Sequence, residues 1–313
     1  MNLLTDIARI DRKAWQTLLE SSPVATWFQS PEAYDLFLAV ADCLTPFIVA
    51  VEENGLKGVV IGYTVANKGL QKPFTSRTVI NGGPLLASDI SEEAVEALMR
   101  TIPANAIYSE TRNYADFSRW SDPIARAGWY TEPHYDIHID IDGRWRERIM
   151  HDEQQQIRKA LREGQTWSLA QTEQDVRDWY FMLKRLYMRK VRRPLFPVSF
   201  FLTAWQTGAC KVLVVRDKNQ YIIGGSLIPS LGTTAYEWYK SGPVMATYSI
   251  LEYCEQTGMK RLDMMGGGSP DQPYSVREFK IRMGGYVCKF GRFIRIQKNL
   301  RYKLGKAVVK KLL

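Results

Sequence analysis

One order of elements occurs twice along the 313 residues, and it constrains the fold more than any single motif does. The first pass opens with PFIVAVEENGLKGVVIGYTV at 46–65, two apolar runs flanking Glu53-Asn54-Gly55, which predicts strand, turn, strand. A strand at 76–81 then runs into Gly82-Gly83-Pro84-Leu85-Leu86. A helix capped at Ser91, a strand at 105–111, a helix at 114–127, Gly128 and strand through 141 complete it. The second pass repeats the plan. KVLVVRDKNQYIIGGSLIPS at 211–230 is again strand, turn, strand, and a strand over 233–241 enters Gly242-Pro243-Val244-Met245. A helix at 246–257, a strand at 259–265, the glycines Gly266 to Gly268, a helix at 274–283, Gly284-Gly285 and strands to 296 follow. Gly83 to Gly128 spans 45 residues and Gly242 to Gly284 spans 42, so the repeat keeps its spacing. The reading is a duplicated α/β unit of the α+β kind with mixed sheets. Residues 1–147 form the first domain. Residues 148–296 form the second, led by a basic connector of two helices at 151–164 and 173–193, and 297–313 form a tail.

Apolar residues make up 45% of the chain, enough for a sizeable core and too many for wholesale disorder. No run approaches the ~18 to 20 uncharged apolar residues of a membrane span, and the first residues lack a signal-peptide core, so a cytoplasmic location is expected. Cys43, Cys210, Cys254 and Cys288 are widely spaced and read as reduced thiols, neither disulfides nor a zinc site. His134, Asp136 and His138 alternate along a strand. Neighbours ~6.5 Å apart on one strand cannot close a metal shell without a third element, so this stretch reads as a half-buried strand with its polar face in solvent and no metal.

The net charge of +9 is local. Residues 289–313 carry Lys289, Arg292, Arg295, Lys298, Arg301, Lys303, Lys306, Lys310 and Lys311 and no acid, while the rest of the chain is balanced. Ile296, Leu300, Leu304, Val308 and Leu312 recur every four residues, predicting a basic amphipathic helix. Its expected partner is an anionic membrane surface met through 295–313, with tRNA as the other polyanion, or its apolar stripe packs back on the first domain.

Several motifs point to one family. They are Phe28-Gln29-Ser30-Pro31, the helix with Ile157-Arg158-Lys159-Ala160 that ends at Gly164, Ala235-Tyr236-Glu237-Trp238-Tyr239, and Leu262-Asp263 … Gly266-Gly267 … Phe279-Lys280-Ile281-Arg282-Met283-Gly284-Gly285. The last run is similar to a "D-x-x-G … F-K-x-x-F-G" ending, with Met283 in the aromatic place. Together with the duplicated order, they make the chain resemble the FemABX family. These are tandem GNAT-like acyltransferases, bacterial peptidyltransferases that add amino acids from aminoacyl-tRNA to peptidoglycan precursors. The resemblance implies two tandem GNAT-like domains, a direct acyl transfer without a bound cofactor, and a donor that is aminoacyl-tRNA or acetyl-CoA. It also implies a cell-envelope precursor as acceptor at the inner face of the membrane.

Acyl transfer to an amine needs a deprotonated nucleophile, a stabilised oxyanion and a proton for the leaving group. By resemblance, Lys280 stands near the acyl-transfer centre, where its cation would stabilise the oxyanion or a tRNA phosphate, and a solvated helix lysine is the plain alternative. Glu237 is expected on one strand face with Ala235 and Tyr239, as a general base or as an ordinary paired acid. Asp263 either orients the substrate amine or anchors the glycine loop. Phe279, Tyr239 and Arg158 are the expected substrate-binding side chains. Gly242 opens a helix whose free N–H groups suit an anionic donor, and Gly266 and Gly267 suit an anion-binding nest or a simple reversal. The segment 241–245 has one glycine where the GNAT coenzyme-A loop, Q/R-x-x-G-x-G/A, has two. The leading expectation is therefore aminoacyl transfer, followed by acetyl-CoA-dependent N-acetylation of an envelope sugar or peptide, and then by a non-catalytic GNAT-fold scaffold.

Overall fold

The computed structural model describes residues 1–65, 75–191 and 194–304. The chain divides into two units, 1–133 with 290–313, and 134–289. No helix among the described residues is long and apolar enough to cross a membrane.

The first unit is built on one mixed sheet of eight strands. It takes β1 (Asn2–Leu4), β2 (Thr45–Glu52), β3 (Leu56–Val65), β4 (Arg77–Asn81), β5 (Leu85–Leu86), β6 (Tyr108–Arg112) and β7 (Tyr130–Glu132), and the last strand among the described residues, Arg292–Ile296, enters between β6 and β7. The β2–β3 hairpin turns where the sequence predicts it, with Asn54 and Gly55 at φ 53° and 109°. Helices α1 (Arg12–Ser21), α2 (Pro31–Leu38), α3 (Glu92–Thr101) and α4 (Ser121–Arg126) accompany the sheet. Ser91 caps α3 as expected, its hydroxyl accepting from the Ala94 N–H, with Glu92 and Glu93 in the first turn.

The second unit holds two sheets. One has the order β14-β11-β10-β9 and the other β12-β13-β15-β8-β16. Their strands are β8 (Tyr135–Asp140), β9 (Thr166–Leu169), β10 (Lys211–Arg216), β11 (Ile222–Ile228), β12 (Ser230–Leu231), β13 (Thr234–Tyr236), β14 (Tyr239–Ser241), β15 (Arg261–Gly268) and β16 (Tyr286–Cys288). The helices are α5 (Trp145–Arg148), α6 (His151–Arg162), α7 (Glu173–Leu186), α8 (Val198–Gln206), α9 (Val244–Gln256) and α10 (Ser275–Arg282). Strand β9 and helix α8 carry no clear signal in the sequence. Helix α7 ends at 186, earlier than expected, and Tyr187–Val191 continues as a wider turn. The core gathers Ile137, Ile139, Trp145, Leu213, Ile250, Leu262, Met264 and Met283.

The expected boundaries at 147/148 and 296/297 are corrected by strand pairing. β8, expected to close the first domain, lies between β15 and β16, with Ile137 and Ile139 in the second unit's core. The last strand (β17, Arg292–Ile296), expected to close the second domain, belongs to the first unit. Its Arg292 guanidinium meets Glu132 at 2.6 Å, Phe293 meets Phe117 edge-on with ring centres 6.0 Å apart, and Arg295 donates to the carbonyls of Met99, Arg100 and Ile102 at the end of α3. Ile296 pairs with Tyr108 in the sheet, so the tail's helical stripe cannot begin there. A helical turn follows at 299–304, with Leu300 and Leu304 exposed and Tyr302 against Tyr108 at 5.2 Å, while Val308 and Leu312 lie outside the described residues.

Candidate active site

The second unit has two sheets because one stretch of chain changes partners. Tyr236 pairs with Asp263 of β15, in parallel, and the Glu237 N–H still reaches the Asp263 carbonyl at 2.9 Å. The next amide, Trp238, turns to the Leu227 carbonyl of β11 at 3.2 Å, and Tyr239 pairs with Leu227. The expected continuous strand from Ala235 to Tyr239 is thus split at Glu237, and Glu237 shares no pleated face with Tyr239. The backbone cost of the split is met residue by residue, because each amide finds a carbonyl on one sheet or the other.

Polar groups collect at the split. The Glu237 carboxylate is buried and accepts from the Thr247 hydroxyl at 3.2 Å, and Lys240 Nζ stands 3.4 Å from its other oxygen. Lys240 also donates to Thr247 Oγ1 at 2.6 Å and lies 4.3 Å from the centre of the Phe279 ring, a cation–π contact. Thr247 sits in the first turn of α9, which starts after Gly242-Pro243 with no side-chain cap. Gly242 has φ +107°, and a Cβ there would come within 2.4 Å of the Gly224 Cα, so β11 and the turn both require glycine.

Lys280 is buried on α10, and its ammonium is fully engaged. Nζ donates to the carbonyls of Met264 at 2.5 Å, Met265 at 3.1 Å and Gly266 at 2.9 Å. Three acceptors take its three protons. Burial pushes its pKa below the ordinary lysine value, with the charges of Glu237 and Asp136 pulling the other way. The carbonyls converge because β15 bulges: Met265 has φ +62°, costly for a residue with a Cβ, and the Asp263 carboxylate accepts from the Met265 N–H at 2.6 Å. Asp263 therefore anchors the loop through one carboxylate oxygen, while the other lies 3.5 Å from His138 Nε2.

Gly266 and Gly267 form neither the expected anion nest nor a reversal. They extend β15, and their carbonyls face cations, Gly266 toward Lys280 and Gly267 toward Arg277 at 3.2 Å. Tyr239 joins an aromatic wall with Phe201 at 5.1 Å, Trp238 at 5.4 Å and Tyr187 at 6.0 Å. Arg158 is exposed on α6, and no hydrogen bond or ion pair among the described residues joins it to these groups. The structure thus brings Lys280, Glu237, Phe279 and Tyr239 to the split strand and adds Lys240 and Thr247. The three-residue spacing of Glu237 and Lys240 is the sequence's one sign of Lys240, and Thr247 has none. Cavities of about 150 Å³ beside Trp205 and Cys210 and about 320 Å³ beside Thr17 and Lys57 lie away from these residues.

The stretch expected to expose His134, Asp136 and His138 is also corrected. β8 is buried on both faces at 136–139, and the neighbouring β15 brings Asp263 opposite His138. His138 Nε2 lies 3.3 Å from Asp136 and 3.5 Å from Asp263. Burial, then the Asp263 charge, pushes Asp136 up to about 7. Burial opposes a proton on His138, but Asp136, Asp263 and Cys288 together push it up to about 12.

The fold is similar to that of FemX. The likeness has a TM-score of 0.69 at 13% identity and covers 97% of this chain and 99% of that one. The C-terminal domain of a putative lysylphosphatidylglycerol synthetase from Agrobacterium fabrum follows at 0.57, with 11% identity and 96% of each chain covered. A tandem GNAT protein from the clavulanic acid biosynthesis pathway gives 0.53 and 11%, over 95% of this chain and 98% of that one. The chain therefore has the mixed α/β fold of two tandem GNAT-like units. No family model and no curated protein matches the sequence.

Proposed function

We propose that the protein is an acyltransferase that moves an aminoacyl group from aminoacyl-tRNA to an amine of a cell-envelope precursor, with its chemistry at the split strand. The observation that carries this reading is the change of partner between Glu237 and Trp238, which leaves Glu237, Lys240 and Thr247 at the point where the two sheets part. The acceptor amine gives a proton to Glu237 and attacks the ester carbonyl. The new C–N bond forms as the bond to the ribose oxygen breaks, and Glu237 passes the proton it took to the leaving oxygen. Lys240, part-buried beside Glu237, Thr247 and the Phe279 ring, stabilises the oxyanion, while Lys280 holds the β15 bulge in shape. Phe279 and Tyr239 present apolar surface to the acyl group, and Arg158 offers a charge to the acceptor's phosphates.

A second reading, acetyl transfer from acetyl-CoA, is favoured by one observation: α9 begins beside the split with its first N–H groups uncapped, which suits a pyrophosphate. Exposed Lys298, Arg301, Lys303, Leu300 and Leu304 support peripheral contact with anionic lipid. Incubation with labelled aminoacyl-tRNA or acetyl-CoA and a panel of envelope-precursor amines tests the proposal. Label transferred from aminoacyl-tRNA supports it, transfer from acetyl-CoA alone supports the second reading, and no transfer from either leaves a binding scaffold.

A further inference from the structure

Beneath the bulge of β15, three atoms with lone pairs converge on one point. Asp136 and His138 share a face of β8, and Asp263 faces them from β15. One oxygen from each carboxylate and a ring nitrogen of His138 lie within 4.8 Å of one another, and the three residues are 2%, 1% and 5% exposed for Asp136, Asp263 and His138. Neither oxygen of Asp136 has a hydrogen-bond partner among the described residues. A buried carboxylate whose nearest donor, His138 Nε2, stands 3.3 Å away is a costly group for a fold to hold, and such a group asks for an ion.

Protons alone answer that demand poorly. Nε2 of His138 is the atom that faces both carboxylates, at 3.3 and 3.5 Å, and one N–H cannot point along both lines. Both distances exceed the ~2.7 to 3.2 Å of an ordinary N–H···O bond. They do fit a shared cation, because two ligands each about 2.1 Å from a metal lie roughly 3.4 Å apart at the tetrahedral angle.

We infer that Asp136, His138 and Asp263 form a binding site for a first-row divalent cation, zinc by preference. Two carboxylates neutralise the dication, a neutral imidazole completes three ligands, and the Nε2 proton leaves to solvent as the metal enters. The ligands are already held in place. The Met265 N–H fixes one Asp263 oxygen and turns the other to the site, and the Tyr286 ring stands edge-on to His138 at 6.1 Å. The cation ties β8 to β15 directly under the carbonyls that hold Lys280, so its role is structural and does not depend on which acyl donor is used.

The test uses the full chain, stripped with a chelator and titrated with zinc, with magnesium as the control. Metal content, the visible spectrum of the cobalt-substituted protein, and Tm are read. One zinc per chain and a Tm rise of about 5 to 10 °C at ~100-fold excess over Kd are expected. Asp136→Asn and Asp263→Asn should weaken zinc binding at least about 100-fold, His151→Ala should leave it unchanged, and metal-free Asp136→Asn should melt no lower than the metal-free parent. Should a variant fail to fold, stoichiometry and a tetrahedral cobalt spectrum in the parent protein still decide. Substoichiometric zinc in the parent, or equal zinc binding in the parent and a folded Asp136→Asn, overturns the inference.

Discussion

The two units meet the same design problem at the same place in their element order and solve it differently. In the first, β4 stays parallel to β6 over its whole length, through Asn81 opposite Arg112, and the sheet remains one piece. The loop that follows is filled by the unit itself. Gln29 donates to the carbonyls of Gly82 and Gly83 and accepts from the Thr26 N–H at 2.6 Å, and a Cβ on Gly83 would come within 2.7 Å of Phe117. In the second unit the equivalent stretch changes sheets at Glu237, and Gly242 is exposed. A duplicated fold thus has one copy whose loop is plugged and one that is split and lined with charge.

Substitutions on either side should separate these roles. Lys280→Met removes the ammonium that gathers three carbonyls, so the bulge loses its shape. Transfer activity should fall about 100- to 1000-fold, read as kcat/KM on protein shown to be folded by circular dichroism. Lys240→Ala leaves the bulge intact and removes one charge-assisted hydrogen bond to the oxyanion, for a loss of about 10- to 100-fold, with Lys240→Arg recovering part of it. In the first unit, Gln29→Ala should cost about 2 to 4 kcal/mol of stability by urea unfolding, because it strands three buried backbone groups, and leave kcat/KM per folded molecule unchanged. A drop in turnover without loss of stability would show that the plugged loop takes part after all. The smallest effect is expected from ending the chain at Gln297. Turnover on a soluble acceptor should stay the same, while co-sedimentation with anionic liposomes should weaken, each removed base near the surface being worth about 1 kcal/mol. Equal sedimentation with neutral liposomes would assign the tail to another partner.

Much of this comparison was legible in the sequence. The hairpins, the Ser91 cap and the helix at 244–256 follow from local periodicity and turn chemistry, so the duplication could be read directly. Which sheet a strand joins is not local. β8 and β17 have ordinary strand patterns, and only long-range partners, Asp263 and Cys288 for one and Glu110 and Glu132 for the other, decide where they go. The same limit hid the buried face of Asp136 and His138, whose alternation looked solvent-facing until a third element covered it. Lys280 stood out by its motif, but its acceptors did not. They depend on a left-handed Met265, a conformation that no glycine announces. Thr247 left no trace, since a threonine in a helix's first turn is unremarkable.

Amide hydrogen exchange tests the central claim most directly, with and without a non-hydrolysable aminoacyl-adenosine mimic and, separately, coenzyme A. Bound donor should slow exchange at 236–247 and 264–268 in the second unit and leave 81–87 in the first unchanged. Protection centred on 81–87, with 236–247 unaffected, would place the donor in the plugged copy and contradict it.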